Sequence, residues 1–193
     1  FSITKNIVID SIVTNFTLNP VRFCGSGTAS FTNLTTNFAA IDFYNWRFGD
    51  GNTSTTINPN NNYLLPGNYS VRLIASTING CSDTTNFVDT IRVFNLPTAT
   101  ISGLATVCLV PSTKLNYTST ITSVDAVAKY KWSIDADSVA NTANLIYDYR
   151  TPGNHIIGLN IETINGCTFS ITKNIVIDSI VTNFALNPVR FCG

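Results

Sequence analysis

Residues 1–25, FSITKNIVIDSIVTNFTLNPVRFCG, return at 169–193 with one change, Thr17 becoming Ala185. The period is 169 − 1 = 168 residues, too long for a helical solenoid unit and right for one or two whole domains. A weaker repeat lies inside it. Thr-Ile-Asn-Gly-Cys at 77–81 recurs at 163–167, and Trp46 and Trp132 precede the two cysteines by the same spacing. The half-period is therefore 167 − 81 = 86 residues. Tyr63-Leu-Leu-Pro-Gly-Asn-Tyr69 is answered in this register by Tyr149-Arg-Thr-Pro-Gly-Asn-His155, and Cys24 is answered by Cys108 near the start of each half. Two divergent domains, A and B, make one period.

This phase sets the expected boundaries: 1–10 as the last strand of a preceding B-type domain, 11–95 as domain A, 96–178 as domain B, and 179–193 as the first strand of the next A-type domain. The joins, Asp10-Ser11-Ile12-Val13 and Phe94-Asn95-Leu96-Pro97, carry no Gly/Ser linker, so a stiff string of modules within a longer array is expected. Alternating A with B keeps near-identical neighbours apart, which lowers the risk of misassembly.

Composition narrows the function classes. Eleven basic residues balance eleven acidic ones, and charged residues are 11% of the chain, against about 25% in ordinary domains. No basic surface is available for nucleic acid or anionic lipid. With one histidine, general acid-base chemistry has little to work with. Asn and Thr make up about a quarter of the residues, a composition of strands and turns. The opening FSITKNIVIDSIV lacks the basic and apolar regions of a signal peptide, so any export signal is expected elsewhere. Apolar runs break well before the ~18 residues a membrane helix needs, and no membrane insertion is expected.

Each half reads as short β-branched or aromatic runs separated by Gly, Pro and Asn clusters, such as Ala29-Ser-Phe-Thr, Phe43-Tyr-Asn-Trp-Arg-Phe and Tyr69-Ser-Val-Arg-Leu-Ile-Ala. No amphipathic helical stretch of useful length occurs. About seven strands in ~85 residues, with Trp46 or Trp132 on a central strand, predict all-β, immunoglobulin-like sandwiches with the indoles between the sheets.

The string Trp46-Arg-Phe-Gly49-Asp50-Gly51, then Asn58-Pro59, then Tyr63-x-x-Pro66-Gly67-x-Tyr69-x-Val71-x-Leu73 resembles the PKD domain family. The family pattern usually has His where this chain has Asn61. Domain B keeps Trp132, Tyr149, Pro152, Gly153 and Leu159 but reads Ser-Ile-Asp-Ala-Asp where A has Arg-Phe-Gly-Asp-Gly, so it resembles a degenerate member. The resemblance implies two tandem extracellular sandwich domains that space, display or adhere, with no catalysis and no cofactor.

Cys24 and Cys81 lie at the two ends of domain A in sequence, Cys108 and Cys167 occupy matching places in B, and Cys192 is the repeat-mate of Cys24. One bridge per domain is expected, Cys24–Cys81 and Cys108–Cys167, with Cys192 pairing outside the chain. Closing a loop of that length stabilises by roughly 4 kcal/mol in the chain-entropy model. An oxidising, extracellular setting follows. The spacings lack CxxC pairs, which argues against a zinc site.

Phe48-Gly-Asp-Gly51 admits a phosphate-loop or calcium-loop reading, but it follows a strand and precedes Asn-Thr-Ser-Thr, which favours a tight turn. Asp135 and Asp137, at the equivalent place in B, are candidate calcium ligands. His155 replaces Tyr69 and is expected to fill a half-buried aromatic position. No nucleophile motif or paired-carboxylate pattern is present, so the chain reads as non-enzymatic. Sequons occur at Asn15, Asn33, Asn52, Asn68 and Asn116. Asp followed by Ser or Thr and then an apolar residue or Thr is similar to the O-glycosylation signal of secreted Bacteroidota proteins. It marks Ser11, Thr84, Thr90, Ser138 and Ser179 as glycan sites, with chance placement in turns as the alternative.

Architecture and composition together resemble the giant cell-surface adhesins of gliding Bacteroidota, the SprB type, exported by the type IX system. That resemblance implies a load-bearing stalk attached to the outer membrane, serving surface adhesion and gliding motility. Its partners would be neighbouring repeats, polysaccharide or abiotic surfaces, or laterally associated copies. The alternatives are a structural subunit of a filament or sheath, and spacer domains of a secreted hydrolase.

Overall fold

A computed structural model describes residues 3–4, 9–37, 39–109 and 114–179. The chain divides into two compact units between Leu96 and Pro97. Of the segment expected as a closing strand at 1–10, residues 3, 4, 9 and 10 are described and none is in a strand. Residues 180–193, with Cys192 and most of the expected opening strand of a further domain, lie outside the described residues.

The first unit contains β1 (Ile12–Val13), β2 (Phe16–Asn19), β3 (Arg22–Cys24), β4 (Gly27–Asn33), β5 (Thr36–Asn37), β6 (Ile41–Arg47), β7 (Thr53–Ser54), β8 (Asn60–Tyr63), β9 (Gly67–Thr77) and β10 (Ser82–Phe94). A three-stranded sheet, β2-β4-β8, faces a five-stranded sheet, β3-β10-β9-β6-β7, and β1 pairs with β5. The strands form because apolar residues recur every second position. In β4, Ala29 and Phe31 are buried while Thr28, Ser30 and Thr32 face water, and in β9 Val71, Leu73 and Ala75 turn inward. β3 runs parallel to β10 at the sheet edge, with Arg22, Val93's partner Phe23, and Cys24 in register with Arg92, Val93 and Phe94.

The second unit contains β11 (Thr98–Ser102), β12 (Thr106–Leu109), β13 (Lys114–Thr122), β14 (Val127–Ile134), β15 (Asp137–Ala140), β16 (Asn144–Asp148), β17 (Gly153–Thr163) and β18 (Thr168–Ser179). Its sheets, β11-β13-β16 and β12-β18-β17-β14-β15, repeat the order of the first unit element for element. At the step from one sheet to the other Gly103 has φ +142°, and a Cβ there would lie 2.5 Å from Tyr117 Cδ1.

Each core is centred on its tryptophan. Trp46 meets Phe16 edge-on at 5.0 Å and lies 5.7 Å from Phe31, which joins the two sheets through aromatic contacts. Its Nε1 donates to Thr56 O at 2.9 Å, and Trp132 Nε1 donates to Thr142 O at the same distance. A wholly buried indole keeps its polar atom satisfied in both domains by the same means. Around Trp132 the second core is aliphatic, built from Leu115, Leu145, Ile157, Leu159, Ile161, Ile175 and Ile177 with Tyr117. Both units are immunoglobulin-like β-sandwiches. Among the described residues no helix is long and apolar enough to cross a membrane.

Candidate functional site

The Gly49-Asp50-Gly51 segment closes the hairpin between β6 and β7, where Trp46 pairs with Ser54 and Arg47 with Thr53. Gly49 has φ +85°, and a Cβ on it would come within 2.6 Å of the Ser70 carbonyl oxygen. The Asp50 carboxylate points back into the turn. Its Oδ1 accepts from the Asn52 backbone N–H at 3.0 Å, and its Oδ2 accepts from Asn52 Nδ2 at 3.0 Å and Asn61 Nδ2 at 2.7 Å. Asn52 Nδ2 also donates to Asn61 Oδ1 at 3.0 Å. Asn61 is 6% exposed, so the residue that stands where the family pattern has His is a buried clamp on the turn. The segment is a structural tie between the two sheets, and its carboxylate is occupied.

The equivalent turn of the second domain is built differently. Asp135 and Ala136 both have positive φ, 51° and 76°, the combination of a two-residue type I′ hairpin turn between β14 and β15. Asp135 Oδ2 meets His155 Nδ1 at 2.7 Å, and its Oδ1 accepts from the Ile156 backbone N–H at 2.8 Å. The other ring nitrogen, Nε2, meets Thr151 O at 3.1 Å. Both ring nitrogens thus face acceptors, the arrangement of an imidazolium. The hydrogen bond to Asp135 raises the imidazole above its ordinary value, and the same bond, with the Ile156 amide, lowers the Asp135 carboxyl.

His155 takes the place of Tyr69 closely. Its ring lies 5.0 Å from that of Tyr149, as Tyr69 lies 4.8 Å from Tyr63, and Tyr69 Oη donates to Leu65 O four residues back, as His155 meets Thr151. Beside it opens a shallow cleft of about 420 Å³ lined by Asp135, Tyr147, Asp148, Tyr149, Arg150 and His155. Asp137, the second expected calcium ligand, is exposed at the start of β15, while both oxygens of Asp135 are engaged by protein groups. Among the described residues there is no group of three or more His, Cys, Asp or Glu side chains that could hold a metal ion.

The cysteines depart from expectation. Cys24 and Cys167 are disulfide-bonded, whereas Cys81 and Cys108 are free thiols, so neither Cys24–Cys81 nor Cys108–Cys167 forms. The reason is the geometry within each domain. Cys81 immediately precedes Ser82, the first residue of β10, while Cys24 is in register with Phe94, its last. At 3.3 Å per strand residue the two are roughly 40 Å apart, and a disulfide needs Cα atoms within roughly 4 to 7 Å. In the second domain Cys167 precedes β18 and Cys108 pairs with Asp178 near its end, a separation of roughly 36 Å by the same rise. Proximity to the ends of the sequence half did not translate into proximity in space, because the long last strand carries the two cysteines to opposite poles.

Each domain therefore has an upstream pole, where its chain enters, and a downstream pole, where it leaves. In the first domain Asp10 marks the upstream pole: its side chain accepts from Thr77 Oγ1, and its carbonyl oxygen lies 4.0 Å from Cys81 Sγ. Nearby, the Asp83 carboxylate accepts from Thr14 N at 2.7 Å and Thr14 Oγ1 at 3.0 Å, which holds it below the usual carboxylate range. These two aspartates were not singled out from the sequence. Asp10 was visible as part of the 25-residue repeat, of the join and of a glycosylation signal, and Asp83 only as a glycosylation signal.

Of the expected O-glycan positions, Ser11, Thr84, Ser138 and Ser179 are exposed and Thr90 is half-buried, with its hydroxyl donating to Val88 O at 3.3 Å. Among the sequons, Asn15, Asn52, Asn68 and Asn116 are exposed and Asn33 is half-buried.

Fold and core thus define a pair of immunoglobulin-like sandwich modules. Residues 18–93 match the family model of the PKD domain. PKD domains are typically non-catalytic spacer or binding modules. No curated protein matches the chain. Similar solved structures include the PKD1 domain of Vibrio cholerae metalloprotease PrtV, at 31% identity over 43% of this chain and 96% of that one, with a TM-score of 0.37. The PKD1 domain of Vibrio anguillarum Epp is 26% identical over 43% of this chain and 95% of that one, TM-score 0.37. The fibronectin(III)-like modules of Clostridium thermocellum CbhA are 14% identical over 88% of this chain and 95% of theirs, TM-score 0.42. The PKD match and the disulfide point to an extracellular protein.

Proposed function

We propose that this chain is one period of a longer array that serves as the load-bearing stalk of a large cell-surface adhesin, of the kind used in gliding motility. The observation that carries this reading is the return of residues 1–25 at 169–193, two whole sandwiches later, with a single change. Sequence identity at that spacing fits an extended array whose function lies in length and repetition rather than in a pocket. Sandwich modules suit tension, because the hydrogen-bonded ladders of β9 with β10 and of β17 with β18 run nearly the full length of each domain. The neutral, Asn- and Thr-rich surface favours weak multivalent contact with polysaccharide or abiotic surfaces, and neighbouring repeats are the array's constant partners.

The test is a fluorescent antibody against this chain on live cells of the source organism. Directed travel of the label along the cell supports the adhesin reading. A static coat, or label confined to detached fibres, overturns it and leaves a structural filament. A hydrolase domain encoded next to the repeat in the same gene would instead make these modules spacers of a secreted enzyme.

A further inference from the structure

We propose that Cys108 of one copy of this repeat forms a disulfide with Cys81 of the copy that follows it, so that the array is stapled covalently from period to period. The inference rests on the reading of the chain as one period of a tandem array, and it adds a modification site at the junction.

Three observations converge. The two free thiols sit at complementary ends: Cys108 is exposed at the downstream pole of the second domain, and Cys81 is partly exposed at the upstream pole of the first. Their repeat-mates are both oxidised. Cys24, the counterpart of Cys108 at a downstream pole, and Cys167, the counterpart of Cys81 at an upstream pole, are disulfide-bonded, although neither can reach the other cysteine of its own domain. The bonds they make are therefore to neither Cys81 nor Cys108, the free thiols.

The third observation places the two thiols beside one residue. Asp178 is in register with Cys108 across the β12–β18 pair. Asp10, whose carbonyl oxygen lies 4.0 Å from Cys81 Sγ, is the same residue one period earlier, since 178 − 10 = 168. In a continuous array one aspartate occupies both positions. The strand that ends beside Cys108 thus leads straight to the point that Cys81 of the next copy faces, and the two sulfurs flank a single backbone position. Neighbouring strands lie about 4.8 Å apart, so each cysteine is about one strand spacing from the shared aspartate, and the bridge closes where both approach it from the same side.

The chemistry needs an oxidant, and the class is a disulfide, either a small molecule such as oxidised glutathione or an oxidoreductase in the export compartment. One protein thiolate attacks a sulfur of the oxidant, releasing one thiolate and leaving a mixed disulfide. The second protein thiolate attacks the protein sulfur of that intermediate and releases the other. Two electrons pass to the oxidant, and the two protons given up by Cys81 and Cys108 end on its two thiols.

The experiment compares the single chain with a chain of two periods, made by continuing residue 193 into residues 26–193. Both are refolded in a glutathione redox buffer, alkylated without reductant and mapped by mass spectrometry. The expected result is a linked peptide pair joining Cys108 of the first period to Cys81 of the second. The single chain should show both cysteines alkylated. Cys108→Ser in the first period of the two-period chain should add one alkyl group, on Cys81 of the second period. Alkylation of both junction cysteines in the two-period chain overturns the proposal, as do linked peptides within a domain or symmetric Cys81–Cys81 and Cys108–Cys108 pairs between chains. A linked junction together with a static label on cells would uphold the staple and reject the gliding reading, so the two failures are told apart.

Discussion

Cys24 and Cys81 lie at opposite ends of strand β10, one in register with Phe94 and the other directly before Ser82. The four described cysteines therefore mark the poles of the domains and do not staple their cores, and what holds each sandwich together is its aromatic or aliphatic filling. Because Cys81 is a free thiol, Cys81→Ser is expected to leave the thermal midpoint of the single chain unchanged within about 3 °C, since a partly exposed change that gives up only a weak sulfur contact costs about 0.5 kcal/mol. Calorimetry without reductant checks this. A loss of several degrees would mean that Cys81 is bridged within the folded chain.

Tyr63 and Tyr149 are repeat-mates with opposite accounts. Tyr63 Oη donates to Phe48 O at 3.1 Å in the buried core, and burial pushes its phenol up. Tyr149 is also buried, and its hydroxyl faces that of Tyr117 without a hydrogen bond of standard geometry. Tyr63→Phe is expected to destabilise the first domain by about 1–2 kcal/mol, because a buried carbonyl loses its donor. Tyr149→Phe is expected to be neutral or slightly stabilising. Urea titrations of the two variants side by side decide it, and equal losses would sink the distinction.

Asn61 is the buried member of the Asp50 turn network. Asn61→Leu keeps the branched shape but strips Asp50 and Asn52 of a partner, so a loss of about 1–3 kcal/mol is expected. Asn61→His, which restores the residue of the family pattern, is expected to recover part of it. The measurement is the shift in denaturation midpoint at constant m-value. A midpoint unchanged in the leucine variant would show that the network is ornamental to stability.

His155 and Asp135 predict a pH dependence confined to the second domain. The imidazole is raised by its bond to Asp135, so its contribution is fully present below the ordinary histidine range and is lost as pH rises through the raised value. The Asp135 carboxyl is lowered, so its contribution is present above the ordinary carboxylate range and is lost as pH falls through the depressed value. Stability of the second domain should therefore be greatest between those limits and decline on the mildly alkaline side. His155→Tyr, which copies Tyr69 of the first domain, should abolish that alkaline decline. Matching slopes in wild type and variant between about pH 6.5 and 8.5 would refute the pairing.

The fold was legible where apolar and polar residues alternate. Ala29 and Phe31, Val71 and Leu73, and the two tryptophans declared inward faces from the sequence, and all six are buried. The turn at Gly49-Asp50-Gly51 was legible too, since its glycines demand positive φ. The role of Asn61 was not, because its meaning depends on Asp50, eleven residues away and on another strand pair. The cysteine pairing was misread for the same reason: spacing along the chain says which residues are near the ends of a half, not which pole the last strand carries them to.

One stretch separates the two kinds of information most sharply. The eleven residues FSITKNIVIDS occur twice without a single difference, at 1–11 and at 169–179. At 169–179 they are strand throughout, with Ile175 and Ile177 in the core. Near the start of the chain Ile3 is 93% exposed and Ile9, the repeat-mate of Ile177, is 87% exposed. Repeat period, strand propensity, alternation and the identity of the core aromatics are properties of the sequence, because they depend on side-chain size and polarity at short range. That the second copy is a strand is decided in three dimensions: a strand must find its hydrogen-bonding neighbours, and β17 and β12 supply them there.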